Sequence, residues 1–186
     1  VAIHENAATP ASGSVKYYTK DYISEAMIGN IQGMWGFNSN LTDTSVKAAN
    51  LTAAGAPISY PTGIRGTSLN ITVANATATV ATIPANYSLG IWVKETDGWH
   101  HYVKTDAGQY KDGVLQAASF TARMTWVTTT VTITAGTQDI DEAFATASTL
   151  TANQIRLMYQ SGLRALQNHT ASRITGTAGP ARASES

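Results

Sequence analysis

The sequence contains no cysteine, which excludes disulfide bonds, thiolate metal sites and cysteine nucleophiles. Charged residues make up only 13% of the 186 residues, against about 25% in typical globular proteins. The 12 basic and 12 acidic residues cancel, so no net charge attracts the chain to nucleic acid or to an anionic membrane. No apolar run approaches the roughly 20 residues that a membrane-spanning helix needs. We therefore expect neither nucleic acid nor a membrane as a partner.

What the chain does contain is a series of short runs with strand character. In "SLGIWVK", Leu89, Ile91 and Val93 fall on one face and Trp92 falls on the other. β-branched residues dominate "TWVTTTVTIT", and such residues fit a pleated sheet. Turns rich in Gly, Asn and Asp separate the runs, among them "TDG" (96–98) and "KDG" (111–113). The pattern predicts an all-β protein, an antiparallel β-sandwich or jelly roll.

One short helix is predicted near the C-terminus, in "TANQIRLMYQSG" (151–162). Thr151 and Gln154 have the spacing of a capping box, which is typical of a helix start. Three residues form its apolar face: Ile155, Met158 and Tyr159. Gly162 is typical of a helix end. The sequence therefore predicts a helix that ends at Gly162 and covers an end or a side of the sandwich.

The two ends of the chain differ from the middle. Residues 1–33 carry little periodicity, and "YYTKDY" places three tyrosines within six residues, which favours contact with another surface. Residues 168–186 are small and polar, as in a tail that is ordered only when it is docked. We expect an N-terminal arm (1–33), a jelly-roll domain (34–167) and a C-terminal tail (168–186). The arm and the tail are expected to contact other protein subunits, in a homo-oligomer.

Four stretches carry a family resemblance: "MWGFNSNLTDTS", "SLGIWVK", "DGWHHYVKTDAGQYKDGVLQ" and "DIDEAFATASTLTANQIRLMYQSG". In this order they resemble the LamG-like jelly-roll domains of the concanavalin A-like lectin/glucanase superfamily, in their bacterial and phage form. The resemblance covers residues 34–163 and implies a jelly-roll fold. The chain departs from the family between Lys94 and Trp99, where "ETDG" replaces additional strands. This departure implies a trimmed sheet and an incomplete sugar-binding face.

Two adjacent histidines stand in "GWHHYV". In a strand, successive side chains point to opposite faces, so His100 and His101 cannot jointly bind one metal ion. We expect one of them to pack and hydrogen-bond within the sandwich and the other to face outward. The resemblance implies the same structural role for the Trp-His-His signature.

Glycoside hydrolysis is not expected. The glucanase branch of the superfamily places its carboxylates at alternate positions of one strand, and retaining hydrolysis needs two carboxyl groups about 5 to 5.5 Å apart. In "DIDEA", Asp139 and Asp141 fall on one face, but the third position is Ala143 and Glu142 points the other way. No Gly-x-Ser-x-Gly elbow occurs either. The sequence therefore predicts a protein that is not an enzyme.

Calcium is the ion that the sequence favours, because it binds oxygen atoms of carboxylates, amides and backbone carbonyls in loops. The resemblance implies a calcium site between the opening polar loop and the Ile-Asp-Glu strand. Its candidate ligands are Asp43, Asn50, Asp141 and Glu142. The alternative is that Asp43 caps a turn and that Glu142 faces solvent.

Trp126 is the candidate for stacking on a sugar. It lies beside Arg123 and Met124 in a stretch whose strand register is not clear from the sequence. Core packing is the alternative for Trp126, as for the other tryptophans, since each stands in an apolar strand pattern.

Two functions remain open. The first is a structural and adhesion protein of a surface assembly, such as a phage virion component that decorates a capsid or forms part of a tail. The arm, the tail and the low charge favour this role. The second is a glycan-binding module of a secreted or cell-surface protein, which the resemblance implies. Both place the protein outside the cell or on a virion surface, with cell-surface glycans as further partners.

Overall fold

The structure, a computed structural model, describes residues 30–53 and 58–175, with the side chains of the C-terminal helix described as far as residue 167. The elements in this part of the chain are β1 (Ile31–Trp35), β2 (Thr52–Ala53), β3 (Ile58–Ser59), β4 (Asn70–Ile71), β5 (Ala76–Thr79), β6 (Ser88–Glu95), β7 (Gly98–Thr105), β8 (Gln109–Lys111), β9 (Val114–Leu115), β10 (Met124–Val127), β11 (Thr130–Ile133), β12 (Ile140–Thr146) and α1 (Ala152–Thr175). All the strand pairings are antiparallel. The predicted antiparallel β-sandwich with a C-terminal helix is confirmed.

The strands form a six-stranded sheet, a four-stranded sheet and a two-stranded sheet. Their orders are β1-β12-β6-β7-β8-β9, β10-β11-β5-β2 and β3-β4. In the middle of the six-stranded sheet, β6 and β7 form a hairpin that pairs from Ser88 with Thr105 to Glu95 with Gly98. The predicted Thr-Asp-Gly turn joins these two strands, so the short "ETDG" connection builds a direct hairpin.

The main core lies between the two larger sheets. Strand β6 contributes Leu89, Ile91 and Val93, which share one face as predicted. The four-stranded sheet contributes Ala76, Ala78, Met124, Trp126, Val131 and Ile133. Strand β10 packs across β6. Each Val, Leu or Ile that is fully buried in this layer stabilises the fold by about 1.5–3 kcal/mol.

Helix α1 lies on the other face of the six-stranded sheet, so it covers a side of the sandwich, as predicted. We call this face the outer face, and the face toward the four-stranded sheet the inner face. Six buried residues hold the helix to the outer face: Ile31, Val103, Phe144, Leu150, Ile155 and Met158. The helix begins with the predicted capping box, in which the Gln154 amide donates to Thr151 Oγ1 at 3.3 Å and the Thr151 amide donates to Gln154 Oε1 at 2.9 Å.

The prediction that Gly162 ends the helix is wrong, because α1 continues through Gly162 to Thr175. Glycine is needed there for close packing rather than for a turn. A Cβ atom at residue 162 would lie 2.1 Å from Cζ2 of Trp92. The tail predicted from residue 168 therefore begins within α1, and its remainder, residues 176–186, lies outside the described residues.

The predicted arm overlaps the first strand. Its last residues, Ile31 to Gly33, belong to β1, whereas residues 1–29 with their tyrosines lie outside the described residues. In the part of the chain that the structure describes, no helix combines the length and the apolar character that crossing a bilayer requires.

Candidate functional site

The inner face changes from apolar to polar between β6 and β7. Strands β7 and β8 extend the six-stranded sheet beyond β6, the strand across which β10 packs. Five half-buried polar side chains stand on this extension and its edge: Glu95, His100, Tyr102, Lys104 and Lys111. We call them the inner-face strip. Cross-strand pairing aligns Tyr102 with Ile91 on one side and with Lys111 on the other, which places the strip on the same face as the sandwich core.

His100 lies at one end of the inner-face strip among carboxylates. Its Nδ1 is 2.6 Å from Asp112 Oδ2, and its Nε2 is 3.0 Å from Asp97 Oδ1 and 3.9 Å from Glu95 Oε2. Burial lowers the pKa of His100, but the hydrogen bonds to Asp112 and Asp97 outweigh it, so that the pKa is raised overall. Asp112 is itself fixed, since its Oδ1 accepts the His101 amide at 2.8 Å.

The middle of the strip is a network around Tyr102. The Tyr102 hydroxyl donates to Glu95 Oε1, and Lys111 Nζ donates to Glu95 Oε2 at 3.1 Å. The hydrogen bond from Tyr102 lowers the pKa of Glu95, while burial and the same bond raise the pKa of Tyr102. Lys111 also lies 5.2 Å from the centre of the Tyr102 ring. Glu95 is therefore ionised and Tyr102 protonated at neutral pH.

A shallow pocket opens beside the strip, where the segment between β9 and β10 approaches β7. The rings of Tyr102 and Phe120 meet edge to face, with centroids 4.8 Å apart. The Phe120 amide donates to Gln109 Oε1 at 2.8 Å, which ties the segment to β8. The lining also includes the cationic residues Lys104 and Arg123. The pocket is small and its surface is mainly apolar, with two cationic residues among those that line it.

The outer face of β7 is entirely different. His101 is fully buried and stacks on Trp92 with ring centroids 4.9 Å apart, and Trp92 stacks in turn on Tyr159 of α1 at 5.7 Å. Neither ring nitrogen of His101 has a hydrogen-bond partner among the described residues. Burial lowers the pKa of His101 to about 3, so its ring is neutral at neutral pH. The predicted opposite faces are confirmed, but the expected hydrogen bond of the packed histidine is not found in this part of the chain.

Two of the calcium candidates, Asp43 and Asn50, meet in the loop after β1. Asp43 Oδ1 accepts the amides of Met34 and Ser45, both at 2.8 Å. Its Oδ2 accepts the Ser45 hydroxyl at 2.9 Å and the Ala49 amide at 2.8 Å. Asn50 Oδ1 accepts the Asp43 amide at 2.9 Å. Both carboxylate oxygens of Asp43 thus cap the loop backbone, as in the alternative that the sequence left open.

The other two candidates, Asp141 and Glu142, lie at a bulge where the register of β12 against β6 shifts. Asp141 Oδ2 accepts the amides of Ile64 at 2.7 Å and Arg65 at 3.3 Å. Burial, followed by the charge of Glu142, raises the pKa of Asp141 to about 8. Glu142 lies 4.0 Å from the Arg65 guanidinium. The two pairs therefore have separate structural partners, and a shared calcium site stays a prediction.

Trp126 lies in the sandwich core, with only 5% of its surface exposed. Its Nε1 donates to the carbonyl of Ala81 at 3.2 Å, and its ring meets Tyr87 edge to face. The structure thus places Trp126 as the packing alternative describes, rather than at the pocket beside the inner-face strip.

Sequence reasoning missed the three carboxylates around His100: Glu95, Asp97 and Asp112. A usable signal was present in the turns. Asp97 lies in the predicted turn between β6 and β7, and the predicted Asp112–Gly113 turn joins β8 to β9. Both turn residues have positive φ, 54° for Asp112 and 79° for Gly113. Pairing the strands outward from the turns would have brought Asp97 and Asp112 to His100.

Comparison with known proteins shows the fold alone. No family model and no curated protein matches the chain. The binding domain of Paraclostridial Mosquitocidal Protein 1 is similar in structure, with a TM-score of 0.56, 9% identity, and coverage of 73% of this chain and 53% of that one. The binding domain of botulinum neurotoxin DC in complex with SialylT has a TM-score of 0.54, with 11% identity and coverage of 73% and 52%.

A third similar structure is the botulinum neurotoxin serotype D ligand binding domain in complex with N-acetylneuraminic acid. Its TM-score is 0.52, with 12% identity and coverage of 72% of this chain and 51% of that one. The present chain thus spans about half the length of these structures. It shares the β-sandwich fold of toxin binding domains.

Proposed function

We propose that the chain is a non-catalytic binding module that recognises glycans through the inner-face strip and the pocket beside it. The observation that carries this proposal is the polar, half-buried inner face of β7 and β8, where the six-stranded sheet extends past β10. Ligand sites typically combine apolar and aromatic surface with a few positioned polar groups. Tyr102 and Phe120 supply the aromatic surface, and Lys104 and Arg123 supply the polar groups.

The charges of the pocket favour a glycan that carries a carboxylate. Lys104 and Arg123 are its cationic lining residues. The Arg123 guanidinium already donates from Nε and Nη2 to the carbonyl of Thr134 at 3.1 and 2.9 Å and from Nη1 to Gln138 Oε1 at 2.7 Å, which leaves Lys104 as the main candidate to meet a carboxylate. A carboxylate that meets a lysine or an arginine forms charge-assisted hydrogen bonds, which are stronger than neutral ones. N-acetylneuraminic acid, the sugar in one of the structurally similar domains, carries such a group. That likeness supports the ligand class and no particular contact.

A glycan array that contains matched sialylated and neutral glycans tests the proposal. The intact protein should retain the sialylated set, and Lys104→Glu should weaken retention about tenfold or more, because a hydrogen bond to a charged group contributes about 1.5–3 kcal/mol. Lys47→Glu is the matched control, since Lys47 is exposed in the loop after β1, and it should bind like the unaltered protein. Equal retention by Lys104→Glu, or no retention of any glycan by the intact protein, would contradict the proposal.

The assembly role stays a prediction beside this one. It depends on the arm and the tail, and residues 1–29 and 176–186 lie outside the described residues. Adhesion through glycans suits an extracellular or virion-surface protein, so one chain can serve both roles. Light scattering coupled to size-exclusion chromatography tests the assembly role. This role requires that deletion of residues 1–29 lowers the measured mass by more than the mass of the deleted segment.

A further inference from the structure

We infer that Glu95, Asp97 and His100 form a binding site for zinc or a chemically similar divalent cation. The imidazole nitrogen and the carboxylate oxygens that these residues offer all lie within 4.8 Å of one another. Ligands that bind zinc tetrahedrally at about 2.0–2.2 Å lie about 3.4 Å apart. His100 Nε2 is 3.0 Å from Asp97 Oδ1 and 3.9 Å from Glu95 Oε2, which brackets that separation. Small side-chain rotations would therefore bring the three ligand atoms to one ion.

Asp112 orients the His100 ring for metal binding. A histidine that binds a metal through one nitrogen typically donates the hydrogen of the other to a carboxylate, which orients the ring. Asp112 Oδ2 lies 2.6 Å from Nδ1, on the side of the ring opposite the proposed ion. The carboxylate is held in place by the His101 amide and by the tight Asp112–Gly113 turn. Nε2 is thus directed toward Asp97 and Glu95 by groups outside the ligand set.

The charge around His100 favours a divalent cation. Three carboxylates, those of Glu95, Asp97 and Asp112, lie within 3.9 Å of the ring nitrogens. Among the residues that the structure describes, Lys111 is the ammonium group that pairs with them, through Glu95 Oε2 at 3.1 Å. Beside a neutral imidazole, this arrangement leaves two negative charges. A carboxylate oxygen has two lone pairs, so Glu95 Oε2 can accept Lys111 and bind a cation at the same time.

The ligand types select the class of metal. Calcium and magnesium prefer shells made only of oxygen, whereas an imidazole together with carboxylates suits zinc and its neighbours among the transition metals. The site is therefore separate in place and in chemistry from the calcium candidates Asp43, Asn50, Asp141 and Glu142. Three protein ligands leave a fourth position of a tetrahedral ion open. Asp97, whose side chain is 70% exposed, gives solvent access to that position.

Calorimetric titration of the chelator-treated, desalted protein with zinc chloride tests the inference without any glycan. The intact protein should bind one equivalent. Both His100→Ala and Asp97→Asn should weaken binding at least about tenfold, and Asp112→Asn should weaken it about ten- to hundredfold, as substitutions of outer-shell partners do. Asp97→Asn removes an exposed carboxylate, so it gives an answer even if another variant unfolds. Cobalt as a substitute should give a tetrahedral visible absorption spectrum.

Asp106→Asn is the matched control, because Asp106 is an exposed turn carboxylate that accepts hydrogen bonds from the Tyr87 amide and the Thr149 hydroxyl. It should bind zinc like the intact protein. The inference is overturned if the intact protein takes up no zinc, or if Asp97→Asn and His100→Ala bind it unchanged, as they would if other histidines held the ion. If the intact protein binds zinc but retains no glycan, the result counts against the proposed function and leaves the zinc site standing.

Discussion

The two faces of strand β7 place neighbouring histidines in opposite environments. On the inner face, His100 has carboxylate oxygens at 2.6, 3.0 and 3.9 Å, and its ring is half-buried. On the outer face, His101 is fully buried beneath α1 and stacks on Trp92. Carboxylates stabilise a protonated imidazole, whereas an apolar layer excludes the charge. The same side chain therefore responds to acid in opposite directions at adjacent positions.

The outer face of the sheet maintains the fold, whereas the inner face beyond β6 is available to a ligand. The outer face is closed by a helix that packs on it mainly through apolar and aromatic side chains. The inner face beyond β6 instead carries side chains that form hydrogen bonds and ion pairs near solvent. Changes under α1 are thus expected to affect folding, and changes on the inner-face strip to affect binding.

The largest expected effect is acid destabilisation through His101. Its pKa is lowered to about 3 in the fold against 6.5 in the unfolded chain, so the unfolded state takes up the proton first as the pH falls. The contribution of neutral His101 is complete above the unfolded pKa and is lost between that pKa and about 3. Each unit of pKa difference corresponds to 1.36 kcal/mol, which gives a loss of about 3 kcal/mol by about pH 4.

Urea unfolding in the presence of a chelator, from about pH 7 to about pH 4, measures this effect. His101→Leu should keep the stability of the intact protein at neutral pH or raise it, because it removes a buried imidazole that lacks hydrogen bonds. The variant should also lose about 3 kcal/mol less on acidification. An equal acid dependence of the two proteins would show that the two faces of β7 do not differ in this way.

A smaller effect is expected from Gly162→Ala, which tests the packing of α1 on the outer face. The added Cβ would lie 2.1 Å from Trp92, whose ring is confined between His101 and Tyr159. Overpacking typically costs about 1–3 kcal/mol, and the better helix propensity of alanine returns about 1 kcal/mol. We expect a net loss of up to about 2 kcal/mol in the free energy of unfolding.

Gln160→Ala is the control, since residue 160 is exposed on the same helix. It should leave the free energy of unfolding unchanged or raise it by a few tenths of a kcal/mol. If Gly162→Ala also raises the stability, α1 does not approach Trp92 as closely as described. Whether Gly162→Ala lowers or raises the stability, its glycan retention per folded molecule should be unchanged, because the inner-face strip lies on the other side of the sheet.

Local patterns in the sequence predicted much of the sheet. The alternation in "SLGIWVK" correctly divided Leu89, Ile91 and Val93 from Trp92. The capping box at Thr151 correctly predicted the start of α1 at Ala152. These features depend on neighbours within a few residues, so sequence alone carries the information.

Features that depend on distant contacts were not predictable. A glycine can end a helix or allow close packing, and the choice at Gly162 is decided by Trp92, which is far away in sequence. The bulge at Glu142, where φ is 46°, likewise moves Ala143 to the face opposite Asp141, against the simple alternation assumed for "DIDEA". The site around His100 combines two turns and two strands, so no single stretch of sequence contains it.

The smallest expected effect is that of His100→Asn on stability. In the presence of a chelator, the free energy of unfolding at neutral pH should change by less than about 1 kcal/mol, because ion pairs near solvent contribute little. The pH dependence of this stability change shows whether the carboxylates stabilise the protonated His100 ring. The pKa of His100 is raised in the fold, so its contribution is complete below the unfolded pKa and is lost as the pH rises through the folded pKa.

The difference between the intact protein and His100→Asn should therefore be larger at about pH 5 than at about pH 8, the reverse of the trend for His101→Leu. Urea unfolding of both variants at the same pH values compares the two directly. A difference that grows with rising pH would mean that the carboxylates of Asp97 and Asp112 do not stabilise the imidazolium. The inner face would then lack the electrostatic character on which both the contrast with His101 and the proposed cation site depend.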